Sequence, residues 1–102
     1  MEEFNIIISS KAQLDLAESV SFVLNVSKEA AIKLANDIYS AIASLSSFPE
    51  RNPVFEMPKS FPFIIRKLVI NKRYIVLYTI KNNDVVIYRI IDSRRSFDYL
   101  IF

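Results

Sequence analysis

The spacing of apolar and polar positions changes several times along the chain, and each change marks an element. Residues 4–8 form a short apolar run rich in β-branched side chains, closed by Ser9 and Ser10, which predicts a strand. The spacing then becomes helical. Leu16, Val20, Val23 and Leu24 fall on one face, and Ser10-Lys11-Ala12-Gln13 has the S-x-x-Q form in which a Ser hydroxyl and a Gln amide satisfy orphan backbone donors. A second helix is predicted from Ser27, with Glu29 in its first turn to suit the helix dipole and Ala31, Leu34, Ile38, Ile42 and Leu45 on one stripe. The linker of about two or three residues makes the pair an antiparallel hairpin, and Phe48-Pro49 closes it.

All four prolines, Pro49, Pro53, Pro58 and Pro62, lie between Phe48 and Phe63, so this segment is predicted as a loop. Beyond it come three β-rich runs, residues 63–70, 74–80 and 85–91. The connections Asn71-Lys72-Arg73 and Lys81-Asn82-Asn83-Asp84 are short enough to allow only hairpins. The predicted fold is therefore α+β: an N-terminal strand, an antiparallel two-helix hairpin and a three-stranded antiparallel meander, with the helices packed on one face of the sheet, in a single domain spanning residues 1–102. The strands are apolar on both parities. Something other than water is expected to cover part of the second face.

Composition narrows the chemistry. Of 102 residues 52% are hydrophobic, more than a domain of this size buries comfortably, which points to a permanent partner. There is no Cys, His, Gly or Trp. This excludes a thiolate nucleophile, a histidine base, the usual structural zinc sites and glycine-rich phosphate loops, and neither a metal nor a cofactor is expected. No apolar stretch approaches membrane-spanning length and the acidic start lacks a signal-peptide core, so the expectation is a soluble cytoplasmic protein with no membrane association. The net charge of +2 conceals an asymmetry: residues 1–58 carry 4 basic and 8 acidic side chains, and residues 59–102 carry 9 basic and 3 acidic ones. Such polarity predicts a basic face and a polyanionic or acidic-protein partner.

Arg66 and Arg89 interrupt otherwise apolar strand runs. Their stems can lie on apolar surface with the heads in water, or neighbouring strands can gather them with Arg94 and Arg95 into a concave cluster suited to phosphate or carboxylate groups. Tyr74, Tyr78, Tyr88 and Tyr99 interleave with this basic region, where rings can stack bases but also fit ordinary strand packing. Asp15, Glu18, Glu29 and Asp37 fall at helical spacings that suit exposed faces, and no paired-acid arrangement emerges.

The order of elements, the Phe48-Pro49 break, and the runs Ile65-Arg66-Lys67-Leu68-Val69, Tyr74-Ile75-Val76-Leu77-Tyr78 and Val85-Val86-Ile87-Tyr88-Arg89-Ile90-Ile91-Asp92-Ser93-Arg94-Arg95 resemble the RelE/ParE superfamily of bacterial type II toxins over nearly the whole chain. The resemblance implies a small toxin encoded with a cognate antitoxin that covers its exposed apolar and basic surface. Leu16, Val20, Ile38 and Tyr78 are the antitoxin contacts expected on the hairpin and sheet.

Within the superfamily, RelE-like members cleave mRNA on the ribosome with Lys, Arg and Tyr side chains, whereas ParE-like members poison DNA gyrase without a known hydrolytic site. Arg66 can stand at one basic position of the ribonuclease pattern, but Leu68 occupies the next, and Ile75 stands where an arginine follows the tyrosine. Arg94 or Arg95 matches the arginine after the last strand, and Tyr99 matches the C-terminal tyrosine only with a shift of register. The loss of two cations weighs against phosphodiester chemistry. The preferred reading is a ParE-like gyrase inhibitor with target contacts at Arg66, Arg89, Arg94, Arg95 and Tyr99. The alternatives are a RelE-like ribosome-dependent mRNA endoribonuclease using Arg66, Arg94, Arg95 and Tyr99, and an inactive homologue that only binds its antitoxin.

Overall fold

A computed structural model describes residues 3–57 and 61–94. Strand β1 (Asn5–Ile8) leads into helix α1 (Ser10–Leu24), and helix α2 (Lys28–Ala43) returns antiparallel to it. Two single 3-10 turns, Ser44–Ser46 and Pro49–Arg51, precede β2 (Arg66–Ile70), β3 (Tyr74–Lys81) and β4 (Asp84–Asp92). The sheet order is β1-β4-β3-β2; β1 runs parallel to β4, and the other neighbours are antiparallel. Both helices lie on one face, α1 over β4 and α2 over β2.

The helix starts follow their serines, with one shift. Ser27 caps α2 by accepting from the Ala30 N–H at 3.1 Å, as expected. In α1 the cap is Ser9, not Ser10: its hydroxyl accepts from the Ala12 N–H at 3.1 Å and donates to the Tyr88 carbonyl at 2.9 Å, while its own N–H donates to the Ile87 carbonyl at 3.0 Å. The ties to β4 choose between two adjacent serines that local sequence cannot separate. Gln13 donates to the Ile8 carbonyl at 3.1 Å instead of closing a capping box.

A chain without glycine must place other residues at positive φ. Asn71 and Lys72, at φ 53° and 58°, form the β2–β3 turn, where positive φ at both central positions matches the twist of the strands. Asn82, at 57°, serves the β3–β4 turn.

The core fills both faces of the sheet. Toward the helices, Leu16, Leu34, Ile38, Ile42 and Leu45 meet Val76, Tyr78, Val85, Ile87 and Ile90, all buried. On the opposite face Leu77, Ile91 and Ile65 form a second cluster, covered by Phe55, Met57 and Phe61 of the proline-rich segment. The cover expected there comes partly from the chain itself. The same segment guards the edge of β2, because the Phe55 N–H donates to the Ile65 carbonyl at 2.7 Å and the Lys67 N–H to the Pro53 carbonyl at 3.0 Å. The first part of the predicted 63–70 run therefore lies outside the regular ladder, which begins at Arg66. The buried Tyr78 hydroxyl donates to the Pro49 carbonyl at 2.5 Å and accepts from Asn52 at 3.1 Å, pinning the second 3-10 turn to the core.

Candidate functional site

Strand β1 accompanies β4 only as far as Ile87, while β4 runs on to Asp92. Just past the end of β1, the ladder to β3 contains a bulge: Tyr78 opposes Ile87 and Leu77 opposes Arg89, so Tyr88 is an extra residue. The bulge resets the side-chain parity. Ile87 and Ile90, three residues apart, both reach the helix-side core, and Tyr88 and Ile91 both reach the opposite cluster.

Arg89 lies against α1. Its Nε donates to Asp15 Oδ2 at 2.7 Å and its Nη2 to Asp15 Oδ1 at 2.9 Å, and the Ile90 N–H donates to the same Oδ2 at 2.9 Å. Asp15 stands in for the strand that β1 no longer supplies. The expectation of an exposed Asp15 is corrected by this geometry: its side chain is only 16% exposed and that of Arg89 17%.

Between α1 and the end of β4 lies a cleft of about 530 Å³. Its helical wall is Asp15, Glu18, Ser19 and Phe22, which share one face of α1. Arg73, Arg89, Asp92 and Arg94 line the sheet side. Asp92 receives two of these arginines: Arg94 Nη2 donates to it at 2.7 Å, and Arg73 Nε and Nη2 donate at 3.4 Å. The hydrogen bonds from Arg94, helped by the charges of Arg94 and Arg73, hold the Asp92 carboxyl down at about 2 despite its partial burial. The same hydrogen bond raises Arg94 above its ordinary value. Arg73 also lies over the Tyr74 ring, 5.2 Å from its centroid.

The structure divides the arginine cluster expected from the sequence. Arg89 and Arg94 line the same cleft, but Arg66 does not; its guanidinium donates to the Glu50 carbonyl at 3.1 Å and the Asn52 carbonyl at 2.7 Å, at the opposite margin of the sheet. Arg95 and Tyr99 lie outside the described residues. Leu68 is half-buried against the helix-side core, and Ile75 packs toward the other cluster. Of the expected antitoxin contacts, Leu16, Ile38 and Tyr78 are buried and Val20 is half-buried against them, because the helical stripe that marks Leu16, Val20 and Ile38 faces the sheet and Tyr78 points from β3 into the same core. The large apolar side chains left exposed on the helices include Leu14, Phe22, Leu24, Ile32 and Tyr39. Sequence reasoning missed Asp15, Arg73 and Asp92 as parts of the cleft; Asp15 meets Arg89 across a separation of 74 residues, for which no local signal exists.

Among the described residues no group of three or more Asp or Glu could hold a metal ion, and no helix is long and apolar enough to cross a membrane. Among solved structures, a chain described as "Chromosomal ParDE TA system from P. aeruginosa" shares the fold with a TM-score of 0.70 at 21% identity, covering 88% of this chain and 96% of that one. No curated protein matches. A family model described as the ParE toxin of type II toxin-antitoxin system, parDE, matches residues 6–97, nearly the whole length, in agreement with the element order and helix placement. The chain belongs to the ParE toxin family of type II toxin-antitoxin systems.

Proposed function

We propose that this toxin acts in the cytoplasm as a single domain that inhibits DNA gyrase through the basic end of its sheet, and that a cognate antitoxin neutralises it. The family match over residues 6–97 carries this reading. Two features of the site support the choice of target. Leu68 and Ile75 are apolar and packed, so they supply no charge for phosphodiester cleavage, and Arg66 is engaged by two backbone carbonyls of the loop. The half-buried Arg73 and the exposed Arg94, beside the cleft, offer guanidinium groups to a protein surface. Arg94 is extended in sequence by Arg95, and the pair forms the core of the target contact.

The experiment is a supercoiling assay with purified toxin and gyrase. Loss of supercoiling or trapped cleaved DNA at micromolar toxin is expected, with R94A/R95A much weaker. Growth arrest accompanied by translation-dependent mRNA cuts and unimpaired supercoiling would overturn the gyrase reading in favour of ribosome-dependent RNA cleavage.

For the antitoxin, Leu14, Leu24, Ile32 and Tyr39 replace the buried stripe as the proposed contacts. They are large, apolar and more than half exposed on the helical hairpin, where an amphipathic segment can dock. Ile32→Asp with Tyr39→Ala is expected to abolish neutralisation while leaving growth arrest intact; retained neutralisation would move the contact elsewhere.

A further inference from the structure

Asp92 is the last residue of β4, and it makes more contacts with its surroundings than the end of a strand requires. Its Oδ1 accepts from the Arg94 backbone N–H at 3.0 Å and from Arg94 Nε at 3.1 Å, while Oδ2 accepts Arg94 Nη2 at 2.7 Å. A carboxylate that bonds the N–H two residues on makes an Asx turn, which fixes the backbone as well as the side chain. The next residue adds a second tie, since the Ser93 N–H donates to the Arg73 carbonyl at 2.6 Å. Arg73 returns its side chain to Asp92 at 3.4 Å, closing a clasp between the start of β3 and the end of β4.

Burial within the clasp is uneven. The Asp92 side chain is 15% exposed and that of Arg94 is 62% exposed, so the carboxylate lies beneath and the guanidinium outside. A partner approaching this end of the molecule meets the arginine first. A pair with one partner in water contributes only modestly to folding. The larger consequence of this pair is geometric: a long side chain already held in one orientation loses less freedom when it is bound.

We infer that Asp92 is a positioning residue for target recognition, fixing both the Arg94 guanidinium and the direction in which the chain leaves β4, without itself touching the target. This rests on the reading that the basic end of the sheet engages the target, but not on the target being gyrase. Asp92 is suited to the role because one carboxylate serves two roles, the turn through Oδ1 and the guanidinium fork mainly through Oδ2. Asparagine can retain the first role and loses the charge needed for the second. The two contributions are therefore separable by substitution.

The test compares D92A, D92N, R94A and the exchanged pair D92R/R94D in the full chain, measuring growth arrest on expression without antitoxin, supercoiling inhibition by purified toxin, and melting temperature. D92A is expected to lose at least tenfold in potency, approaching R94A, with the melting temperature within a few degrees of wild type. D92N should fall between D92A and wild type, because the turn survives. The exchanged pair keeps opposite charges in contact but should be no more potent than R94A, an outcome a merely structural ion pair would not produce. Wild-type potency in D92A alongside an inactive R94A overturns the inference. Wild-type potency in both D92A and R94A overturns it together with the assignment of the basic end to the target. If gyrase is unaffected while cells still arrest, the gyrase reading fails alone, and the growth comparison of the same variants still decides the role of Asp92. Should D92A fail to fold, equal potency of D92N and wild type overturns the charge-dependent part by itself.

Discussion

Replacing Asp15 by alanine is the sharpest test of how the cleft is built. Asp15 joins α1 to β4 through three hydrogen bonds of 2.7, 2.9 and 2.9 Å, two from Arg89 and one from the Ile90 N–H. Asp15→Ala leaves a largely covered guanidinium without this counter-charge and a strand-edge N–H without its acceptor. Breaking a fully buried pair costs about 3–5 kcal/mol, and a lost hydrogen bond to a charged group about 1.5–3 kcal/mol. Water can enter through the adjacent cleft of about 530 Å³ and rehydrate part of what is exposed. The lower end applies, about 2–3 kcal/mol in all. For a domain near 100 residues this corresponds to a fall in Tm of roughly 10–20 °C. Asp15→Asn keeps an acceptor for the Ile90 N–H and loses the charge, so it should fall between Asp15→Ala and wild type. Urea unfolding followed by circular dichroism, on D15A, R89A and the double variant, gives the coupling directly, with about 1.5–3 kcal/mol expected. If D15A lies within about half a kcal/mol of wild type, as ordinary surface substitutions do, or if the coupling is zero, the strut is not what holds α1 to the edge of β4.

Three further outcomes follow from the same geometry. Lys72→Gly, which converts the β2–β3 turn to Asn-Gly and relieves a lysine at φ 58°, should raise stability by about 1 kcal/mol in a urea titration; a loss would mean that the lysine side chain contributes more than the turn strain it imposes. Tyr78→Phe removes the donor to the Pro49 carbonyl and the acceptor for Asn52, and should cost about 1–2 kcal/mol with the loop at residues 49–52 becoming the first segment to exchange its amide hydrogens; uniform exchange would show that the hydroxyl does not pin it. Asp92 titrates at about 2 in the folded state, below the ordinary value of about 3.9 for an unfolded chain, so its contribution is present above about pH 4 and is lost as the pH falls through about 2. Urea midpoints measured across this window should fall less steeply for D92N than for wild type, and parallel curves would remove Asp92 from the acid sensitivity.

Why the architecture was legible follows from how its information is distributed. Leu34, Ile38, Ile42 and Leu45 repeat at helical spacing and all four are buried, so local periodicity and tertiary burial carry the same message. The hairpin turns are equally local, since Asn71 and Asn82 are the residue type that reaches positive φ when glycine is absent. Where the deciding contact is distant, local signals fail. Two consecutive serines offered two caps for α1, and hydrogen bonds to Ile87 and Tyr88 on β4 selected the first. Likewise the second face of the sheet, with strands apolar on both parities, was expected to need a cover, but Phe55, Met57 and Phe61, held within a proline-rich loop, gave no periodic sign that they supply it.

The site was less legible for a reason rooted in the sheet itself. A one-residue bulge at Tyr88 resets which side chains share a face, so alternation counted from Val85 places Arg89 on the helix side but misplaces Ile90 and Ile91. Grouping Arg66 with Arg89 by strand position could not anticipate that one guanidinium binds the loop at residues 50–52 while the other binds α1. The same logic applies to the apolar residues of the hairpin. An on-stripe residue such as Ile38 is already committed to the core, which is why the positions most conspicuous in the periodic pattern are poor candidates for a partner. Leu14, Ile32 and Tyr39 lie off the helical stripe, Leu24 lies at its end, and all four stay exposed, at a cost in solubility that folding does not require. Apolar side chains that the fold leaves unused are therefore more informative about binding than those it buries, which is the ground for proposing the outer surface of the hairpin as the antitoxin's face and the end of the sheet around Asp92 as the target's.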